Sequence, residues 1–208
     1  MKTRSKALLL ALCAVLLVTA SVLGTMAYLT DQDAVKNTFS VGSVAITLDE
    51  LDVDNSTEDE NDRDKANSYK LLPGHLYTKD PIVHVVSTSE DCWVFVKVEN
   101  GIAAYEATTT TGEGAYKCIV DQIKANGWTA LDGVSNVYYK AYTKDQADKD
   151  LEVFAEFKVA DNANDVDGWS SIAPDTTTIN VTAYAVQKDG FSTASAAWTA
   201  TFGAPTAG

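Results

Sequence analysis

Leu151-Glu152-Val153-Phe154-Ala155-Glu156-Phe157-Lys158-Val159 alternates with period two: Leu151, Val153, Ala155, Phe157 and Val159 take one side while Glu152, Glu156 and Lys158 take the other. That spacing predicts a strand with one face on a core and one in water. Residues 178–187 alternate in the same way through Ile179, Val181, Ala183 and Ala185. Cys92-Trp93-Val94-Phe95-Val96-Lys97-Val98 differs, because Trp93 and Phe95 make its second face apolar as well, which predicts a strand covered on both sides. Shorter runs at 82–86, opened by Pro81, and at 137–142 read as further strands, and Pro73-Gly74 marks a turn. Over 38–48 the parity changes, Phe39 and Val41 on one phase and Val44, Ile46 and Leu48 on the other, with a bulge expected at Gly42-Ser43. Tyr116, Ile119, Val120 and Ile123 fall at helical spacing, and Asn126-Gly127 supplies a stop. Residues 191–201 close the pattern as a short helix or an edge element. The whole reads as an all-β chain, an antiparallel β-sandwich with one or two short inserted helices.

The sandwich is preceded by a leader. Lys2, Arg4 and Lys6 precede an uncharged apolar run from 7 to 23, and Thr25 and Ala27 place small residues where signal peptidases accept them, so cleavage is expected between Ala27 and Tyr28. As a helix the seventeen-residue run would reach about 25 Å, short of the roughly 30 Å hydrocarbon core, which favours export over anchoring. The sequence therefore divides into a signal peptide (1–27) and one secreted domain (28–208). In the latter, 28–37 is an arm with little pattern and 49–68 a polar, mostly acidic surface loop.

The 208-residue chain carries a formal charge of −13. Residues 1–27 hold three positive charges and no negative ones, so the remaining 181 residues carry −16. Such a field repels nucleic acid and anionic membranes, and neither is an expected partner, the membrane not after cleavage. Cys13 leaves with the leader. Cys92 and Cys118 can form one disulfide of an exported chain or remain buried free thiols among their apolar neighbours.

Several stretches resemble one family. Thr25-Met26-Ala27-Tyr28-Leu29-Thr30-Asp31, then Asn37-Thr38-Phe39-Ser40-Val41-Gly42 and Val44-Ala45-Ile46-Thr47-Leu48, are similar to the leader and first strand of the TasA/camelysin family. Leu71-Leu72-Pro73-Gly74-His75-Leu76-Tyr77-Thr78-Lys79-Asp80-Pro81 resembles its early turn, and Ile179-Asn180-Val181-Thr182-Ala183-Tyr184-Ala185-Val186-Gln187 its late core strand. The resemblance touches both ends of the chain and no motif between about 100 and 175. It implies a jelly-roll version of the sandwich, cleavage by a dedicated signal peptidase of the SipW type, and a secreted biofilm-matrix fibre protein at the cell surface or in the extracellular matrix.

The expected partner is then a further copy of the chain, joined by β-strand addition between subunits, with other matrix proteins as additional partners. The stretch from Tyr28 through Leu48, freshly cut and directly ahead of a β-rich run, is the expected assembly segment: arm residues Tyr28 and Leu29, then Phe39, Val41, Val44, Ile46 and Leu48. Two alternatives remain beside the fibre subunit, a camelysin-like surface metallopeptidase and a matrix accessory protein or adhesin that does not polymerise.

The metallopeptidase alternative calls for a zinc site. The chain has only His75 and His84, nine residues apart and in different elements, and no His-Glu-x-x-His helix. No catalytic residue, cofactor or metal ligand is therefore expected. Asp52-x-Asp54-x-Ser56 begins like a calcium loop, but Thr57 stands where glycine is required and Arg63 where the bidentate glutamate is. Loose calcium binding by the acidic loops, including Asp161, Asp165 and Asp167, is the one cation reading left open.

Overall fold

The computed structural model describes residues 6, 11–18, 43–54, 63–172 and 177–204. They belong to two compact units, one ending at Val41 and one running from Gly42 to Gly208. In the first, residues 11–18 are helical and exposed. No helix among the described residues is long and apolar enough to cross a membrane.

The described residues of the second unit form ten strands: β1 (Ile46–Leu51), β2 (Arg63–Asp64), β3 (Leu76–Thr78), β4 (Ile82–Val85), β5 (Cys92–Asn100), β6 (Thr129–Ala130), β7 (Val137–Tyr142), β8 (Asp150–Glu152), β9 (Glu156–Lys158) and β10 (Ile179–Gln187). Helix α1 (Ile119–Ala125) lies between β5 and β6, and α2 (Ala194–Phe202) follows β10. One sheet runs β2-β1-β4-β8, a second β10-β5-β7-β6, and β3 pairs with β9; every pairing is antiparallel. The all-β antiparallel sandwich read from the sequence is the observed class.

Its core lies between the two larger sheets. Val83, Val85 and Leu151 of the first sheet meet Cys92, Val94, Val96, Val98, Tyr138 and Tyr142 of the second, and Phe157, Val159, Ile119 and Ile123 complete the cluster. The second face of β5 is covered too: Phe95, fully buried, packs with Val137 and Val186 against Ala194, Ala197 and Trp198 of α2. Those three helix positions share one face, and the Trp198 ring meets Phe95 edge-on at 5.1 Å. Thr193 Oγ1 caps the helix by accepting from the Ala196 N–H at 3.2 Å, which decides residues 191–201 in favour of helix. Helix α1 starts at Ile119, three residues later than the periodicity suggests, and Tyr116 instead buries its ring while its hydroxyl donates to Glu106 at 2.9 Å.

The strand predicted over 151–159 is divided into β8 and β9. β8 pairs with β4 and β9 with β3, yet the register is the same in both ladders, so together they form one long interrupted ribbon. The break has a chemical cause. Pro81 has no N–H to give to the Val153 carbonyl across from it, which accepts from Asn126 Nδ2 at 3.3 Å instead, and two residues further on the Ala155 N–H, across from Lys79, turns to Gln122 Oε1 at 3.0 Å. The Val153 N–H donates to the Pro81 carbonyl at 2.9 Å and the Lys79 N–H to the Ala155 carbonyl at 3.1 Å, which carries the register across the gap.

The acidic loop expected over 49–68 requires a correction at both ends. β1 continues through Leu51, and the chain returns as β2 with Glu50 opposite Asp64 and Leu51 opposite Arg63. Ion pairing explains why so polar a stretch enters a sheet.

Candidate assembly edge and the polar network beside it

The terminal strands of the two large sheets are β2, β8, β6 and β10; the first three are two or three residues long, whereas β10 has nine. At the two ends of β10 the Thr178 carbonyl accepts from the Gly101 N–H at 2.9 Å and the Lys188 N–H donates to the Asp91 carbonyl at 2.8 Å. With the register fixed by Tyr184 opposite Phe95, the even-numbered residues exchange hydrogen bonds with β5. Residues 179, 181, 183, 185 and 187 therefore turn their N–H and C=O groups away from it, and among the described residues nothing pairs with them.

Long edges of this kind are ordinarily blunted by charges, proline or a bulge. β10 has none of the three: Ile-Asn-Val-Thr-Ala-Tyr-Ala-Val-Gln is uncharged, free of proline and in continuous register. Ile179, Val181 and Ala183 lean on the core, Tyr184 belongs to the α2 side, and Asn180 and Thr182 are exposed. Gly101 fixes the start of the strand, since a Cβ there would stand 2.6 Å from the Thr178 carbonyl oxygen, a backbone atom.

Beside the start of β10 opens a cleft of about 510 Å³, lined among others by Glu50, Asn67, Tyr69, Lys79, Trp169 and Ile179. Lys79 pairs there with Glu50, both almost wholly buried, and Asn67 Nδ2 donates to the second Glu50 oxygen at 3.0 Å. Arg63 ties β2 down from outside. Its Nε meets Asp49, and its two terminal nitrogens donate to Asp80 Oδ2 and to the Asp80 carbonyl, each at 3.0 Å. His84 continues the network, with Nε2 3.0 Å from Asp49 and Nδ1 2.6 Å from Asp150.

Burial disfavours the charged forms of Asp49 and His84, but the hydrogen bonds outweigh it. Arg63 and His84 hold the Asp49 carboxyl below the usual range, and Asp150 and Asp49 raise His84. A raised folded value means that the His84 contribution is complete below pH 6.5 and is lost as pH rises through the folded value. The Asp49 contribution runs the opposite way, present above pH 3.8 and lost as acid protonates the folded carboxyl. Replacement of His84 by Asn is thus expected to cost about 1 kcal/mol at pH 6 and much less at pH 9, read from urea midpoints at the two values. An equal cost at both would show that the imidazole acts through packing alone.

Of the residues singled out from the sequence, Ala27, Tyr28, Leu29, Phe39 and Val41 lie outside the described residues. Val44, Ile46 and Leu48 lie within them and pack on their own core, Ile46 opposite Val85 and Leu48 opposite Val83. The Val86 N–H adds a bond of 2.9 Å to the Ala45 carbonyl. The assembly segment expected over 28–48 thus has its last residues engaged within its own domain. Of the two readings left open for Cys92 and Cys118, the structure carries the free thiols. Cys92 is buried in β5, where burial pushes its thiol up to about 11, while Cys118 stands just ahead of α1 with Thr109 Oγ1 3.3 Å from its sulfur.

His75 sits in the turn with Nδ1 3.1 Å from the Pro73 carbonyl, and its partner is not one of the two carboxylates that hold His84. The carboxylates around His84 approach opposite ring nitrogens and so do not converge on one point. Among the described residues no group of three or more His, Cys, Asp or Glu side chains is arranged to hold a metal ion.

Glu50, Lys79 and Arg63 were not anticipated as interacting residues. Glu50 had a signal, because it follows Ile46 and Leu48 on the inward parity. An inward carboxylate demands a buried cation. No family model, curated protein or solved structure matches the chain.

Proposed function

We propose that this chain is exported, cut between Ala27 and Tyr28, and serves as a structural subunit of extracellular biofilm-matrix fibres, assembling by β-strand addition between subunits. The jelly-roll form of the sandwich and the kinship with TasA and camelysin belong to the same proposal. The observation that carries it is the edge of β10, which nothing pairs among the described residues: five successive outward sets of N–H and C=O groups on an uncharged strand roughly 30 Å long. A globular domain that works alone gains nothing from leaving such an edge bare, whereas a subunit needs it.

Ala183→Pro separates assembly from folding. The Ala183 N–H takes no part in the ladder with β5, and proline is tolerated at an outward position of an edge strand. The expected result is a processed variant with an unchanged circular dichroism spectrum that sediments as single subunits, while the parent protein forms fibres visible by electron microscopy. Fibres of equal abundance from the variant would remove β10 as the assembly edge.

A further inference from the structure

We infer that the first partner of β10 is the β10 of a second copy, paired antiparallel about a two-fold axis at Ala183. The inference rests on the strand-addition reading and names the strand that is added. With Ala183 opposite its own counterpart, Val181 faces Ala185 and Ile179 faces Gln187, so each of the five outward residues meets another outward residue. Each such pair exchanges two hydrogen bonds, and no outward group is left unpaired. Shifting the register by one residue would set outward groups against inward ones and forfeit this.

The side chains agree. Toward the core face, Val181 meets Ala185 and small Ala183 sits on the axis, where bulk would collide. Toward the α2 face, Thr182 lies opposite Tyr184, a β-branched and aromatic pairing of the favoured kind, and Asn180 lies opposite Val186. Charge points the same way. The chain carries −13, so two copies repel wherever acidic surfaces meet. β10 brings no charge, and its β5 neighbours Lys97 and Glu99 neutralise one another at 2.7 Å. The edge is therefore a place where two acidic subunits can approach without a like-charge contact. An isologous contact closes on itself, so it makes a dimer, and fibre growth proceeds from that dimer through a second, heterologous contact.

The test is site-directed cross-linking of the processed chain carrying Thr182→Cys with Cys118→Ser, using a short bis-maleimide. In the paired register Thr182 and its counterpart are diagonal neighbours about 7–8 Å apart. The expected product is a covalent dimer that forms at micromolar protein and falls about tenfold or more when Ala183→Pro is added. Should Ala183→Pro lower the melting temperature, Thr182→Lys at an exposed position replaces it, with the dimer read by sedimentation and expected to dissociate. Assembly without the Thr182 cross-link, but sensitive to Ala183→Pro, would overturn self-pairing and leave strand addition by another segment standing. A cross-link insensitive to Ala183→Pro would overturn the pairing as a chance contact. Single subunits that neither cross-link nor assemble would overturn both readings.

Discussion

Lys79→Ala is expected to lower the free energy of unfolding by about 3–5 kcal/mol, a large share of the stability of a domain this size. The Glu50 carboxylate is only 5% exposed and lies on the inward parity of β1, so it cannot turn to water without breaking the pairing with β2 and β4. Without the ammonium it keeps the hydrogen bond from Asn67 and loses the one buried countercharge it has among the described residues. The pair itself is a weaker asset than its removal suggests, because both charges were desolvated to make it. Glu50→Gln combined with Lys79→Met should therefore restore most of the loss. Urea unfolding of the parent, single and double variants measures both effects, and a Lys79→Ala loss below about 1 kcal/mol would show that water reaches Glu50.

That pair also marks where the sequence is readable and where it is not. Alternation at 179–187 and the two apolar faces at 92–98 identify strands, and they identify them because a strand's side chains alternate whatever its neighbours are. The same logic gives Glu50 an inward position. Local pattern says nothing of the partner, and Lys79, twenty-nine residues away, becomes its counterion only through the pairing of β1 with β4 and the turn that precedes it. The division of 151–159 has a similar origin. Its alternation is real, with Leu151, Val153, Phe157 and Val159 all buried, but the interruption is imposed from across the ribbon by Pro81 and from the side by Gln122.

The open edge of β10 is the least legible feature. A strand at the edge of a sheet and one in its centre can show the same alternation, and β10 reads as well as any central strand. Only the sheet order places it last. What the sequence does contain is the absence of the usual safeguards, nine residues without charge or proline, and that absence acquires meaning once the strand is known to be terminal. The arm ahead of β1 illustrates the converse. Its lack of pattern suggested a segment for a neighbour as far as Leu48, but Val44, Ile46 and Leu48 find enough apolar surface in their own core to stay in it.

Phe157→Ala is expected to cost about 3–5 kcal/mol, the range for removing a buried aromatic ring. Phe157 is 1% exposed and is the inward residue of three-residue β9, directly opposite Tyr77 of β3. Its ring stacks on Tyr77 at 5.0 Å and receives the Tyr69 edge at 5.3 Å, and Tyr69 in turn lies beside Lys79. A two-stranded ladder this short is not stable by itself; the ring holds it on the core together with the Glu106–Val159 bridge and the Ala107 N–H, which donates to the Lys158 carbonyl at 2.8 Å. Truncation should therefore do more than leave a cavity. Amide exchange is expected to rise first across β3 and β9, while β5, held by β7, β10 and both cores, keeps its protection until global unfolding. Phe157→Leu, which keeps much of the volume, should recover about half of the loss by urea titration. If exchange in β5 and β9 rose together, the ribbon would be part of the same cooperative unit as the sheets, and the ring would stabilise the domain as a whole.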